Sequence, residues 1–583
     1  MLHAIAPRIP ALFLQFATPC RTIVTMHVLT AAEMQACDRL TSELFGVSSL
    51  ELMRTAAAAV AEFARERFPE ARRVTVLCGR GNNGGDGMMT ARLLTEAGLE
   101  VTTVLLCAPE DLRGDAAQAW KELSHCKCGP VHLIREAREL AHSNSALQAD
   151  LLVDAVVGTG FKPPLRGLAL AALEWVRTGA AAVPVLAVDL PSGWGADETA
   201  ATAPGPVFPA DAVITFTAPK PAHVFGHLTR RWDQPVLVAA IGSPQVAIEA
   251  ALDPALARLT WAGSSMATVQ AQRAADANKG NFGHVLVVGG TFGWAGGKAG
   301  APSMASLGAL RAGAGLVTAA VPATAMAVVA AVAPELMIWP LATTPAGQVS
   351  AENLAPERLA SLTAGMTVLA VGPGLGQAEE TAKFVEGLLS STRLPTVIDA
   401  DALNILAARP GLLAELAVGR TLVLTPHPGE MARLAAISTA EVQANRLQVA
   451  REFAQRLGVI LVLKGARTLI AHPDGQVAVN TSGNPGMAKG GSGDLLAGMI
   501  AGLLAQFPDR PAQAVEAAVY LHGLAADLAV QRSDEHTLLA TDSLADLSRA
   551  FRSQAFRFES GGLNRYLWLQ GVLPAAGLDE GRP

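Results

Sequence analysis

The chain has 583 residues, 50% of them hydrophobic and only 16% charged, with a formal net charge of −6. A chain of this length divides into about two to four domains rather than folding round one core. Its apolar content excludes a disordered protein, and its acidic balance offers no basic field to nucleic acid. The six cysteines are Cys20, Cys37, Cys78, Cys107, Cys126 and Cys128. Cys126-Lys-Cys128 lacks the second pair that a zinc site needs, and a reducing cytoplasm is the expected compartment.

Residues 1–27 are expected to form an extension outside the folded domains. The run PALFLQFA after Arg8 faintly resembles an export or transit segment, but it is short, and Met26 opens an ordinary helix-like stretch. Residues 312–334 carry no charge. Gly313, Gly315 and Pro322 punctuate them, however, and LVTAAV followed by TAMAVVAAVA reads as strand then helix, so no membrane partner is expected.

From 28 to 242, apolar β-branched runs at 73–78, 101–107, 151–157, 184–189, 212–216 and 235–239 alternate with helical patterns. Such alternation implies a parallel sheet with helices on both faces. Ligands of open α/β sheets bind beyond the carboxyl ends of the strands, and three polar loops fall there: GNNGGDG (81–87), VDAVVGTGFKPPLRG (153–167) and VDLPSGWGAD (188–197). Gly79, Gly81 and Gly84 match a dinucleotide fingerprint, but the acid expected after the next strand is out of register, which disfavours a simple redox domain. Asp86 could merely cap the following helix. Oxygens from Asn83, Asp154 and Ser192 could instead hold a hard cation, which explains a carboxylate in a glycine loop.

These loops, in this order, resemble the YjeF N-terminal domain, the NAD(P)H-hydrate epimerases, over about residues 28–240. The resemblance implies that Asn82, Asn83, Gly84, Gly85 and Asp86, with Gly158, Thr159, Gly160, Phe161, Lys162, Pro163 and Pro164, hold the hydrated dinucleotide. It further implies potassium on Asn83, Asp154 and Ser192, and Asp189 at the reacting ring. The hydrate's C6 bears both hydroxyl and ring nitrogen, so nitrogen can expel water, and readdition on the other face inverts the centre. Asp189 is the carboxylate expected to shuttle the proton.

Strand signals stop over 243–275, which reads as a linker, and resume over 276–555 at 284–290, 315–320, 366–371, 395–399, 421–425 and 458–463. The strongest signal in the chain is NTSGNPGMAKGGSGDLLAGMI (480–500). Glycines 490, 491 and 493 before an apolar helix make an anion hole, and Asp494 is placed to take a proton from a substrate hydroxyl. TPHPGEMARL supplies His427 and Glu430, LKGARTLI supplies Lys464, AVGPGLG a glycine turn, and VIDADALNIL Asp399 and Asp401. Singly each is ambiguous; together they describe an ATP-handling site with a general base. The tail 556–583 has no clear period and is expected to be peripheral.

This half resembles the ribokinase-like superfamily, nearest to the YjeF C-terminal or NAD(P)H-hydrate dehydratase domain, over about 276–548. The resemblance implies that Ala301, Gly374, His427 and Asp494 meet the hydrate. It places ADP on Lys464, Gly465, Ala466, Arg467, Thr468 and Gly493, with Mg2+, and makes Asp494 the catalytic base. Lys489 stands where the family more often has a small hydroxyl residue, and could strengthen phosphate binding or point outward. The expected fold is therefore α/β in two domains, a Rossmann-like three-layer α/β/α unit and a ribokinase-like α/β unit. The expected protein is a cytoplasmic homo-oligomeric enzyme that epimerises NAD(P)H hydrates and uses ADP to dehydrate the S form. The alternative is a small-molecule alcohol kinase with a non-catalytic N-terminal scaffold.

Overall fold

Two parallel sheets organise the computed structural model, which describes residues 25–126, 128–254, 256, 258–294, 296–553 and 566–571. The expectations for residues 1–24 lie outside the described residues. The N-terminal sheet has eight strands among the described residues. Arg73–Cys78 sits between Glu100–Leu105 and Leu151–Ala155, so the chain winds one way to Val131–Leu133 and then the other way through Val185–Val188, Ala212–Phe216 and Val236–Ala239. All these strands are parallel and nearly all their central residues are buried, as a sheet covered on both faces requires.

The second sheet has eleven strands among the described residues. His284–Val288 lies third from one edge, with Leu316–Pro322 and then Met337–Leu341 on that side and Val368–Val371 on the other. Thr396–Ile398, Leu422–Leu424 and Ile460–Leu463 continue in parallel, and a hairpin, Leu469–Ala471 and Val477–Val479, turns antiparallel. In each sheet the order turns back at the first strand of the parallel run, Arg73–Cys78 in one and His284–Val288 in the other. That reversal opens a crevice at the carboxyl ends of the strands on either side of it.

Two expectations about the boundaries are corrected. The supposed linker contains Leu259–Trp261, a strand parallel to Val477–Val479, and His27–Val28 pairs antiparallel with it, so both belong to the second sheet. The supposed peripheral tail contributes Leu567–Gln570, antiparallel to Val236–Ala239 of the first sheet, with Tyr566, Leu567, Trp568 and Leu569 buried. These pieces are too short to show periodicity, and their partners are remote in sequence. The chain's two ends thus cross over, each completing the other half's sheet. Cys126 and Cys128 form a disulfide, while Cys37, Cys78 and Cys107 are free and buried.

Among the described residues no single helix is long and apolar enough to cross a membrane. The apolar helix Ser492–Gln506 is instead buried against Gly300–Arg311. Close approach requires small residues: a Cβ on Gly498 would fall on the Ala305 carbonyl oxygen, and one on Gly502 would lie 2.7 Å from that of Ala309. Because this seam fixes the helix start that carries Asp494, Gly498→Ala should cost about 1–3 kcal/mol. The expected readout is a lowered melting temperature with unchanged far-UV circular dichroism.

Candidate active sites

At the first reversal a cavity of about 1130 Å³ is lined by Asn82, Asn83, Asp86, the loop Gly158–Pro164, Asp189 and Lys220. The glycine loop is more helical than its sequence suggests. Gly81 caps a helix that already includes the asparagines, Asn82–Glu96. Gly84 and Gly85 do not reach the cavity wall. A Cβ on Gly84 would strike the Gly79 carbonyl, and one on Gly85 would lie 2.7 Å from the Met53 methyl, so both glycines serve packing.

Asp189 follows the strand Val185–Val188 with φ of 66°, a left-handed conformation that side chains rarely adopt. Its Oδ2 accepts from the Thr159 N–H (2.7 Å) and hydroxyl (2.5 Å), and its Oδ1 from the Thr215 hydroxyl (2.8 Å) and Lys220 Nζ (3.0 Å). Burial alone would raise this carboxyl, but Lys220, His223 and the hydrogen bonds overcome it and hold Asp189 well below the usual carboxylate range. His223 accepts from the Lys220 N–H at Nδ1 (3.0 Å), which leaves Nε2–H to donate to the Asp189 carbonyl (2.7 Å). Burial and the neighbouring ammonium push this imidazole down to about 4, so it stays neutral. Both oxygens of Asp189 are thus engaged by donors, which favours its ionised form. Lys220, Thr215 and His223 were not singled out from sequence. Their signal was TFTAPKPAH, another polar strand end at the same sheet edge.

Below the cavity, Asp154 Oδ1 accepts from the Ser192 hydroxyl (2.6 Å) and Oδ2 from the Ser192 N–H (2.8 Å). Ser192 also bonds the Val157 N–H (2.9 Å), and the next residue, Gly158, packs on both Asn83 and Asp189. Burial lifts Asp154 to about 6 against those hydrogen bonds, with no side-chain cation beside it. Asn83 Oδ1 and Nδ2 are buried and have no hydrogen-bond partner among the described residues. An orphaned amide oxygen and a buried carboxylate without a side-chain cation fit a bound hard cation.

In the second half, the glycine turns Gly289–Gly290 and Gly372–Gly376 meet at the reversal, where the Gly290 N–H donates to the Pro373 carbonyl (2.8 Å). Gly374 has φ of 68° and packs against Lys298 and Ala301, a Cβ there lying 3.1 Å from that of Ala301. Asp494 lies in the first turn of Ser492–Gln506. Burial, reinforced by Asp399 and partly opposed by Lys464, raises its carboxyl to about 6. Lys464 Nζ bonds Asp399 Oδ1 (2.9 Å), lies 4.0 Å from Glu430, and stands 3.3 Å from where a Gly493 Cβ would be. Burial would lower this ammonium, but Asp399 and Glu430 keep it above its usual range.

His427 caps the helix Pro428–Ala435, its Nδ1 accepting from the Gly429 and Glu430 N–H groups. Lys298, absent from the sequence reading, pairs with Asp401 (3.2 Å), which also receives the Gly376 N–H (2.8 Å). Gly465, Ala466 and Thr468 lie in the hairpin turn after Lys464, where the Thr468 hydroxyl donates to the Gly465 carbonyl (2.9 Å). Arg467 lies in the same turn. Its guanidinium turns away and donates to the carbonyls of Thr481 (3.1 Å) and Gly226 (3.2 Å) and to Gln570. Lys489 likewise bonds the His536 carbonyl (2.6 Å) rather than reinforcing the anion hole.

The two halves match two family models, YjeF-related protein N-terminus over residues 49–222 and NAD(P)H-hydrate dehydratase over 285–549. The chain is 41% identical to the bifunctional NAD(P)H-hydrate repair enzyme Nnr of Moorella thermoacetica, across 91% of this chain and 97% of that one. It belongs to the bifunctional NAD(P)H-hydrate repair enzymes. The Nnr enzyme of Escherichia coli is 34% identical across 89% of this chain and 93% of its own. An ADP/ATP-dependent NAD(P)H-hydrate dehydratase from Bacillus subtilis, co-crystallised with ATP and Mg2+, aligns at 34% identity and a TM-score of 0.41, covering 49% of this chain and 96% of that one. Membership in a repair-enzyme family gives the alcohol-kinase alternative no better support.

The Lys220–Asp189 pair is testable apart from activity. In Lys220→Met, Asp189 stays buried without its cation, and its folded-state pKa rises above the unfolded value of about 3.9. The destabilisation, about 3–5 kcal/mol, then grows as pH rises through that value. The melting-temperature gap from the unmutated protein should therefore be wide at about pH 7 and narrow towards about pH 4.

Proposed function

We propose that the N-terminal cavity interconverts the R and S forms of NAD(P)H hydrate and that the C-terminal site dehydrates the S form at the expense of ADP. The observation that carries the second activity is Asp494, set at the start of an apolar helix behind glycines and facing Lys464. The helix start and the ammonium attract the terminal phosphate of ADP. Asp494, ionised above about 6, takes the C6 hydroxyl proton as that oxygen attacks the terminal phosphorus and AMP leaves. The ring nitrogen then expels phosphate from C6, and loss of a proton from C5 forms the C5=C6 bond of NAD(P)H.

Among the described residues no group of three or more His, Cys, Asp or Glu side chains converges as a metal site. Mg2+ would therefore be held mainly by nucleotide phosphates and water, as it commonly is, and would neutralise charge on the transferring phosphoryl group. In the epimerase half, Asn83, Asp154 and Ser192 would hold potassium, which would neutralise Asp154 and fix the loop over Gly158. Asp189 serves as the negative charge facing the cationic ring that remains when the C6 hydroxyl departs. A fusion suits the chemistry, because a dehydratase selective for one epimer needs the other converted.

Asp494→Asn should lower ADP-driven recovery of NADH from its S hydrate by about a hundredfold or more. In the unmutated protein the rate should fall about tenfold per pH unit below about 6, as Asp494 takes up its proton. Recovery of NADH without any nucleotide would refute the dehydratase reading. Asp189→Ala should slow R-to-S conversion by about a hundredfold while leaving dehydration of pure S hydrate intact; equal loss of both would refute the division between the halves.

A further inference from the structure

An ionised Asp189 leaves epimerisation without a proton donor. The C6 hydroxyl departs far more readily as water than as hydroxide, yet every hydrogen-bonding direction of Asp189 already points at a donor. The cavity wall contains two more carboxyls. Asp86 comes from the glycine helix, and Asp38 from the helix Ala31–Phe45, which lies before the residues matched by the N-terminal family model.

Asp38 Oδ1 is buried and has no hydrogen-bond partner among the described residues. A buried acceptor left unsatisfied is destabilising unless a ligand supplies the missing donor. The charges acting on Asp38 are Lys220 and Asp189, and it acts in turn on Asp86 and on the Cys37 thiol. Lys220 Nζ is already committed to Asp189 (3.0 Å), to the Thr215 hydroxyl (2.8 Å) and to the Phe216 carbonyl (3.4 Å), so it is not the hydrogen-bond partner of Asp38. Burial raises Asp38 to about 6, with Lys220 opposing and Asp189 adding. Asp86 is also raised, chiefly by burial and then by Asp189 and Asp38, but neither of its oxygens is among the buried unpartnered atoms of the described residues, as the Asp38 Oδ1 is. A general acid works best when its pKa lies near the working pH, a condition that Asp38, with an oxygen free to meet the substrate, satisfies.

We propose that Asp38 is the general acid of the epimerisation, giving its proton to the C6 hydroxyl of the hydrate, with Asp189 as the fixed counter-charge to the ring; this rests on the epimerase reading above. As the C6–O bond breaks, the ring nitrogen's lone pair forms the C6=N bond and water departs. A water then forms the C6–O bond on the opposite face, the C=N pair returns to nitrogen, and the surplus proton of that water restores Asp38. Protons and electrons balance over the cycle, and no co-reactant is needed.

The test is R-to-S conversion of NADH hydrate by the full-length Asp38→Asn variant across about pH 5–8, beside the unmutated protein. Dehydration of pure S hydrate with ADP, in the same preparation, reports folding. The expected result is kcat for epimerisation reduced by about a hundredfold or more, KM within about twofold, and disappearance of the decline in rate that the unmutated protein shows as pH rises above about 6. Asp38→Ser, smaller and uncharged, should behave alike and replaces the asparagine variant if that one fails to dehydrate. An epimerisation kcat within about threefold of unmutated, or an unchanged pH profile, overturns the assignment of Asp38 alone. An unmutated protein that does not interconvert the epimers overturns the epimerase reading itself, and this assignment with it.

Discussion

A parallel sheet covered by helices on both faces leaves its polar side chains one place to emerge, and this protein is built on that constraint twice. Strand interiors are almost wholly apolar in both halves. Functional groups are therefore gathered at the carboxyl ends of the strands, beside the turn-backs at Arg73–Cys78 and His284–Val288 and, in the second half, onward to Asp399, His427 and Lys464 after the strands that follow. Asn83, Gly158 and Asp189 come together at one reversal, and the turns Gly289–Gly290 and Gly372–Gly376 meet at the other. The chemistry differs between the halves while the placement is the same.

Both sites also handle buried charge in one way. A lysine of low exposure is set among several carboxyls, Lys220 beside Asp189 and Lys464 beside Asp399 and Glu430. In the first site Asp189 takes the ammonium and stays ionised while burial and repulsion raise Asp38 and Asp86; in the second, burial and Asp399 raise Asp494. Separating titratable groups in this way yields a fixed charge and a proton carrier from the same residue type. The low-dielectric setting that makes each unpaired carboxyl costly is also what tunes it.

The halves are not strung together by a free linker. His27–Val28 and Leu259–Trp261 extend the dehydratase sheet, while Leu567–Gln570 closes the edge of the epimerase sheet. Arg467 stands where these pieces meet. It follows the hairpin turn that carries Lys464 and bonds the carbonyl of Gly226, which ends the short helix bearing His223. An interface fastened by exchanged strands and a buried guanidinium leaves less room for relative motion than a polar domain contact does.

The alternation of apolar runs and helical patterns was enough to determine both parallel sheets, because a doubly covered strand must be a continuous apolar run. The glycine loops marked the ligand edges for an equally local reason: a backbone that turns sharply beside an anion or a carbonyl needs residues without Cβ atoms. Asp189 and Asp494 were legible because each stands in such a loop. What only the tertiary structure decided is long-range. Three- and four-residue strands such as LTW and LWLQ carry no period of their own, and they become strands only against partners remote in the chain. The Arg467 guanidinium meets Gly226 and Gln570, Gly84 and Gly85 pack against Gly79 and Met53, and Asp189 is held by Lys220, Thr159 and Thr215. In each case the role depends on what lies opposite. Sequence names the ionisable group, but its charge is set by the neighbours and the burial that folding brings to it.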